Sequence, residues 1–301
     1  MTELNHITVC VCTYKRPQLL RLLLEALRCQ ETHQRFTYSI VIVDNDSEHS
    51  GKPIVDEFEA KGGVRVLYCN EPVQNIALAR NMAIDNSQGN LIAFIDDDET
   101  PIQQWLWLLH EIMCSHKVAG VLGPVLPRFQ QQPSSWIVRS KLCERKRFCT
   151  GTYLKSAIDT RTGNILLSKA FLDSHRFRFD RAFGLTGGED CELFRRMMKK
   201  GAEFVWCDEA CVYEAVPSSR LTRKYMLKRA LLRGVANSQG VQFFSKNIGK
   251  SIVALICYAS ALPVLMFAGH HNLMKFLVKS CDHLGKVLAV MGIKMSVKRQ
   301  L

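Results

Sequence analysis

The run Phe94-Ile95-Asp96-Asp97-Asp98-Glu99 places four acids in a row directly after an apolar stretch, Leu91 to Ile95. Burying one unpaired carboxylate is costly, and crowding several adds mutual repulsion. Such a run is tolerable at the open end of a strand, facing a cation. A hard divalent ion prefers oxygen ligands and often bridges to substrate phosphates. These residues therefore point to a metal-assisted site for a phosphate-bearing substrate. The plainer reading is an acidic strand-to-helix turn, with Asp98 or Thr100 capping a helix that Pro101 starts. A second acidic pair, Glu189-Asp190, follows Thr186-Gly187-Gly188 and precedes a helix. A carboxylate there can take a proton as general base, or can simply favour a helix N-terminus.

Alternating strands and helices must position these acids. Ile7 to Cys12 reads as a strand, and Pro17 opens a helix carried by Leu19, Leu20, Leu23, Leu24 and Leu27. Ser39 to Val43 is a buried strand ending at Asp44. Ile54 to Ala60 is a helix, Val64 to Tyr68 a strand, Ile76 to Ile84 a helix and Leu91 to Ile95 a fourth strand. A helix over Ile102 to Met113 precedes Gly120-Val121-Leu122-Gly123. Units of this kind imply an α/β fold with a mostly parallel, Rossmann-like sheet flanked by helices. Ligands of such sheets bind beyond the carboxyl ends of the strands. Here those ends are Thr13, Asp44, Asn70-Glu71 and Asp96 to Asp98, and three of the four carry carboxylates. The middle of the chain, 126–218, reads as irregular, with a basic stretch from Lys141 to Arg147 and a turn at Thr162 to Asn164. It also holds a helix over Cys191 to Lys200 and short strands at Phe204-Val205-Trp206 and Cys211-Val212-Tyr213.

At 301 residues and 47% hydrophobic content, the chain can bury one large core or two smaller ones. The polar start does not read as a signal peptide. The 12 cysteines include no CxxC and several lie in strand-like runs, so they read as free thiols of a reducing compartment. Charge is uneven. Residues 1–127 carry 10 Lys/Arg against 16 Asp/Glu, whereas 128–301 carry 30 against 12. Arg220, Arg223, Lys224, Lys228, Arg229 and Arg233 crowd one helix, and Ser251 to Gly269 then runs 19 residues without a charge. Lys275, Lys279, Lys286, Lys294, Lys298 and Arg299 follow. An apolar stretch between basic flanks suits a segment that dips into, or crosses, an anionic leaflet.

Five short motifs stand in order: Val9-Cys10-Val11-Cys12-Thr13-Tyr14-Lys15-Arg16-Pro17, Ile42-Val43-Asp44-Asn45-Asp46-Ser47, Ala77-Leu78-Ala79-Arg80-Asn81, Ile95-Asp96-Asp97-Asp98 and Gly187-Gly188-Glu189-Asp190. Together they resemble an inverting, metal-dependent family 2 glycosyltransferase of GT-A fold, similar to bacterial exopolysaccharide enzymes of the succinoglycan kind. The resemblance covers about residues 7–235. It implies that Thr13, Tyr14, Asp44, Asn45, Arg80, Asp96 and Asp97 bind the nucleotide-sugar, with Asp44 meeting the base and Asp96 the ribose. It implies that Asp98 of the DxD pattern holds Mn²⁺ or Mg²⁺, the third Asp leaving Asp97 as an alternative. Asp190 becomes the general base, with Glu189 next in line. Many relatives carry a metal-ligating His where this chain has Glu214, which either binds the metal or pairs with Arg220 or Arg223. Trp136, after Pro133-Ser134-Ser135, is a candidate for stacking on an acceptor sugar.

The expected organisation is a nucleotide-sugar-binding half at 1–125, an acceptor and catalytic half at 126–235, and a basic, apolar, membrane-associated helical tail at 236–301. The expected reaction moves a hexose from a UDP-sugar to a saccharide acceptor, lipid-linked, on the cytoplasmic side of the inner membrane. The protein would be peripheral there, or have one apolar segment inserted. No nucleic-acid partner is expected, because strand-end carboxylates repel phosphate without a metal. Two rivals remain: a nucleotidyltransferase, which normally needs a glycine-rich loop where Thr13 to Pro17 has none, and a basic nucleic-acid-binding protein.

Overall fold

A computed structural model describes residues 4–185, 187–236, 246–267 and 269–293. The first three residues of the polar start, Thr186, Lys294, Lys298 and Arg299 lie outside the described residues. In chain order the elements are β1 (Asn5–Thr13), α1 (Pro17–Arg28), β2 (Phe36–Asp44), α2 (Lys52–Ala60), β3 (Val66–Asn70), α3 (Ile76–Asp85), β4 (Leu91–Phe94), β5 (Glu99–Pro101), α4 (Trp105–His116) and β6 (Gly120–Leu122). They continue with β7 (Val125–Phe129), α5 (Ser135–Ser140), β8 (Ile165–Ser168), α6 (Lys169–Ser174), α7 (Glu189–Lys199), β9 (Phe204–Trp206), β10 (Val212–Val216), α8 (Arg223–Ala236), α9 (Lys246–Phe267) and α10 (His270–Val290).

The chain gathers into two units. One runs to Leu126 and takes in Arg145–Glu214; the other holds Pro127–Glu144 and the chain from Ala215 onward. The first unit is built on a seven-stranded sheet of order β3-β2-β1-β4-β8-β6-β9. β1 runs parallel to β2 and β4, β2 to β3, and β6 to β9, while β8 is antiparallel to both neighbours. The sheet is thus mostly parallel, as the strand–helix alternation predicts. Side chains alternate along β1: Ile7, Val9 and Val11 enter one core with Leu20, Leu23, Leu24 and Leu27 of α1, while Cys10 enters the other with Ala77, Ala79 and Ala83 of α3. Both faces are covered, which is why β1 and β2 read as continuous apolar runs.

Two local expectations change. The helix assigned to Ile102 begins at Trp105, so neither Asp98 nor Thr100 caps it and Pro101 does not start it. The backbone of 99–101 is instead paired with 212–214, Glu99 opposite Glu214, and the Ile102 amide donates to the Cys211 carbonyl. Tertiary pairing overrides the local Pro signal. The irregular middle also contains a sheet strand, β8, inserted between β4 and β6. Its three apolar residues, Ile165 to Leu167, are too few to be told from a loop by periodicity.

In the second unit, α10 packs on α8, α9 and α5. Gly234 and Gly285 are the points of closest approach: a Cβ on Gly285 would stand 2.1 Å from the Leu231 carbonyl oxygen. Residues 127–144, expected with the catalytic half, gather with these helices, and Trp136 packs with their apolar cluster and lies 5.2 Å from the His270 ring. No helix among the described residues is long and apolar enough to cross a membrane.

Candidate active site

Parallel pairing puts Thr13, Asp44 and Asn70 side by side at the carboxyl edge of β1, β2 and β3, and the acidic run follows β4 at the same edge. Asp44 is fully buried. Its carboxylate accepts from the Gly51 amide (2.6 Å), the Tyr68 hydroxyl (3.1 Å) and the Asp46 amide (3.2 Å). Burial pushes its pKa up against those hydrogen bonds. In this arrangement Asp44 holds the 45–51 loop. Asn45 is likewise occupied: its Nδ2 donates to the Glu71 and Val73 carbonyls, and its Oδ1 accepts from the Asn75 amide at the start of α3. Tyr14 is half-buried beside them, with the Lys15 ammonium 5.6 Å from its ring.

The three consecutive aspartates take three different environments. Asp97 is buried and accepts from the Thr13 hydroxyl (2.9 Å) and Arg16 Nη1 (3.0 Å). Each of its two oxygens thus accepts one hydrogen bond. Asp98 accepts from the same Arg16 Nη1 at 3.2 Å. Its pKa rises to about 7, through burial first and then through Asp96, Asp97 and Glu214, which outweigh Arg16. Asp96 is the exposed member, its side chain 47% accessible. The next acid, Glu99, is buried and accepts from the Asp96 amide; burial and Asp96 push its pKa well up. Gly163 backs this pair so closely that a Cβ there would stand 2.6 Å from Glu99 Oε1 and 3.1 Å from Asp96 Oδ2.

Helix α3 links this edge to the second acidic pair. Asn81 closes a two-way hydrogen bond with the Phe179 backbone, at 2.9 and 2.8 Å, and so fixes the segment leading to α7. Gly187 and Gly188 both take positive φ, a region that only glycine enters without strain, and Gly188 is the N-cap of α7. Asp190 is therefore not the cap. It lies in the first turn, and its pKa is raised by burial and by Glu189. Arg80 is buried. Its Nη1 donates to Glu189 Oε1 at 2.6 Å, and its Nη2 lies 3.5 Å from Asp96 Oδ1. This is no surface ion pair. One guanidinium spans the acidic run after β4 and the acidic pair that opens α7. Burial works against its charge, but Glu189, Asp96 and Asp190 hold it protonated.

Glu214 pairs with Arg145 at 2.5 Å. Arg16, Glu99, Arg145, Arg161 and Gly163 belong to the site although sequence reasoning gave them no role. Arg16, Glu99 and Arg145 stood inside stretches already noticed, and Gly163 in the turn at Thr162 to Asn164; nothing local marked Arg161.

A metal fits this donor set in charge and kind. Asp96 and Asp98 supply carboxylate oxygens, and burial first, then Asp96, Asp97 and Glu214, raise the pKa of Asp98. No three His, Cys, Asp or Glu converge on one point among the described residues.

The sequence profile of Glycosyl transferase family 2 matches residues 8–174. The chain belongs to this family. Over 300 residues it is 30% identical to succinoglycan biosynthesis protein ExoM of Rhizobium meliloti (strain 1021), covering 97% of this chain and 95% of the relative. Among solved structures, mannosyltransferase PcManGT of Pyrobaculum calidifontis, in complex with GDP-Man and Mn²⁺, aligns with a TM-score of 0.63 at 16% identity, over 94% of this chain and 88% of that one. S. aureus TarS 1-349 in complex with UDP-GlcNAc aligns with a TM-score of 0.57 at 14% identity, over 95% and 92%. At such identities the two structures speak to the fold. Family membership favours a glycosyltransferase over the nucleotidyltransferase rival.

Proposed function

We propose that this glycosyltransferase moves a hexose from a UDP-sugar to a saccharide acceptor, lipid-linked, with inversion, in surface polysaccharide assembly. The observation that carries the reading is the span of Arg80, which ties Glu189, next to the candidate base, to Asp96 of the acidic run. Asp190 takes the proton of the acceptor hydroxyl as its oxygen bonds to the anomeric carbon. The bond from that carbon to the diphosphate oxygen breaks, and the diphosphate leaves with the electron pair. One displacement inverts the centre. The raised pKa of Asp190 makes it a stronger base near neutrality than an ordinary carboxylate. Glu189, committed to Arg80, positions rather than accepts. Asp98 with Asp96 would hold Mn²⁺ or Mg²⁺, which when bound supplies Lewis-acid stabilisation of the leaving charge. The printed relatives support the donor class: one structure holds GDP-Man with Mn²⁺ and another UDP-GlcNAc.

The second unit is read as the membrane-facing part, on the cytoplasmic side of the inner membrane and peripheral. Ile252, Val253 and Ile256 of α9 are exposed, as are Arg223, Lys224, Lys228 and Arg229 of α8. Exposed apolar and basic side chains suit an anionic lipid surface.

A panel of nucleotide-sugars scored by UDP or GDP release, with and without Mn²⁺, tests the activity. Release from a UDP-sugar that stops in chelator is expected. Undiminished turnover by a metal-free Asp98→Ala protein refutes the reading.

A further inference from the structure

Four guanidiniums serve the acidic site, and three of them have carboxylate partners. Arg16 holds Asp97 and Asp98, Arg80 holds Glu189 and Asp96, and Arg145 holds Glu214. Arg161 differs. It makes no ion pair and no side-chain hydrogen bond among the described residues, and its Nε is buried without a partner. Glu99, Asp190 and Glu214 are within electrostatic reach. Burial and Arg145 bring its pKa down to about 10, so it still carries its charge at neutral pH.

An unpaired cation in such a place is costly, and a mobile side chain would swing out to water. The loop that bears it is firmly held. Asn164, three residues on, accepts from Trp105 Nε1 at 2.7 Å and donates to the carbonyls of Pro124 (2.9 Å) and Ala210 (2.7 Å). Between them, Gly163 is wedged against Glu99 and Asp96. The loop is thus anchored by protein contacts alone, and its guanidinium makes no ion pair among the described residues.

We propose that Arg161 is a substrate-binding residue whose guanidinium receives an oxyanion of the bound substrate, either a phosphoryl oxygen of the donor diphosphate or an acid group on the acceptor. The planar fork of donors matches such a group, and charge-assisted hydrogen bonds in a partly dehydrated site are strong. The inference rests on the glycosyltransferase reading above.

The test compares the full-length parent, Arg161→Gln and Arg161→Lys by calorimetric titration with UDP, GDP and uridine in Mn²⁺. It adds transfer to two soluble acceptors that differ in an acid, p-nitrophenyl glucoside and p-nitrophenyl glucuronide. If the oxyanion is the donor's, Arg161→Gln loses UDP affinity by about 10- to 100-fold and keeps its uridine affinity, with Arg161→Lys in between. If it is the acceptor's, UDP affinity is unchanged and the parent's preference for the glucuronide disappears in Arg161→Gln. Thermal stability should hold in Arg161→Gln, since no partner is orphaned. UDP and uridine affinities falling together with the melting temperature would mark a structural role and overturn the assignment. So would a variant that matches the parent in both arms. A parent that binds neither UDP nor GDP overturns the glycosyltransferase reading itself, and this inference with it.

Discussion

Replacing Glu189 by Gln should cost far more stability than a neutral, isosteric change normally does. The Arg80 and Glu189 side chains are 8% and 2% exposed, so solvent screens their interaction little. Two opposite charges about 4 Å apart interact by about 4 kcal/mol at an effective dielectric of about 20. Removing one member of a buried pair leaves the other desolvated and typically costs about 3–5 kcal/mol. Asp96 Oδ1, 3.5 Å from Arg80, recovers part of this, but weakly because its side chain is half exposed. We expect Glu189→Gln to lose about 3 kcal/mol in urea unfolding, and Arg80→Met a similar amount. In the double variant no charge of the pair remains unpaired, so its loss should fall short of the sum by about 2 kcal/mol. Additivity within about 0.5 kcal/mol would refute the claim that this pair links α3 to α7.

Asp190→Asn should lower turnover by about 10²- to 10⁴-fold, as loss of a general base does. Because burial and Glu189 raise the folded pKa of Asp190, its ionisation in the fold opposes stability; that cost is absent below the ordinary carboxylate pKa of about 4 and grows as pH rises through the folded value. The variant should therefore melt above the parent at pH 8 and level with it near pH 4, and an equal offset at both pH values would sink this account. Gly163→Ala should push Glu99 aside through its 2.6 Å contact and Asp96 through its 3.1 Å contact, and weaken UDP binding about 10-fold with an unchanged circular dichroism spectrum; unaltered affinity would argue against Asp96 as a ligand. Gly285→Ala, whose Cβ would meet the Leu231 carbonyl at 2.1 Å, should cost at least about 1–3 kcal/mol by thermal unfolding, and a neutral result would mean that α8 and α10 can part cheaply. Ile252→Glu with Ile256→Glu should reduce co-sedimentation with phosphatidylglycerol vesicles severalfold, whereas equal binding by the pair would remove α9 from the membrane contact.

The sheet edge was legible before any coordinates because its signals are local. β-branched runs end at Thr13, Asp44 and the acidic run after Leu91 to Phe94, and parallel sheets bring such ends together. The helix after Pro17 and the glycine pair before Glu189 were likewise readable from short-range chemistry. Long-range pairing was not. The backbone of Glu99 to Pro101 is taken up by β10, more than a hundred residues away, so the proline signal at 101 did not make a helix. β8 is a central strand only because β4 and β6 flank it. The resemblance gave Asp96 to the ribose and Asp98 to the metal with Asp97 as an alternative, but the contacts that distinguish them, Thr13 and Arg16 with Asp97 and Arg80 with Asp96, come from the fold. Residue type and spacing determined which chemistry the chain carries. Which carboxylate meets which cation, and that Arg161 meets none among the described residues, was decided only by tertiary structure, because ion pairing depends on distances that close when distant segments pack.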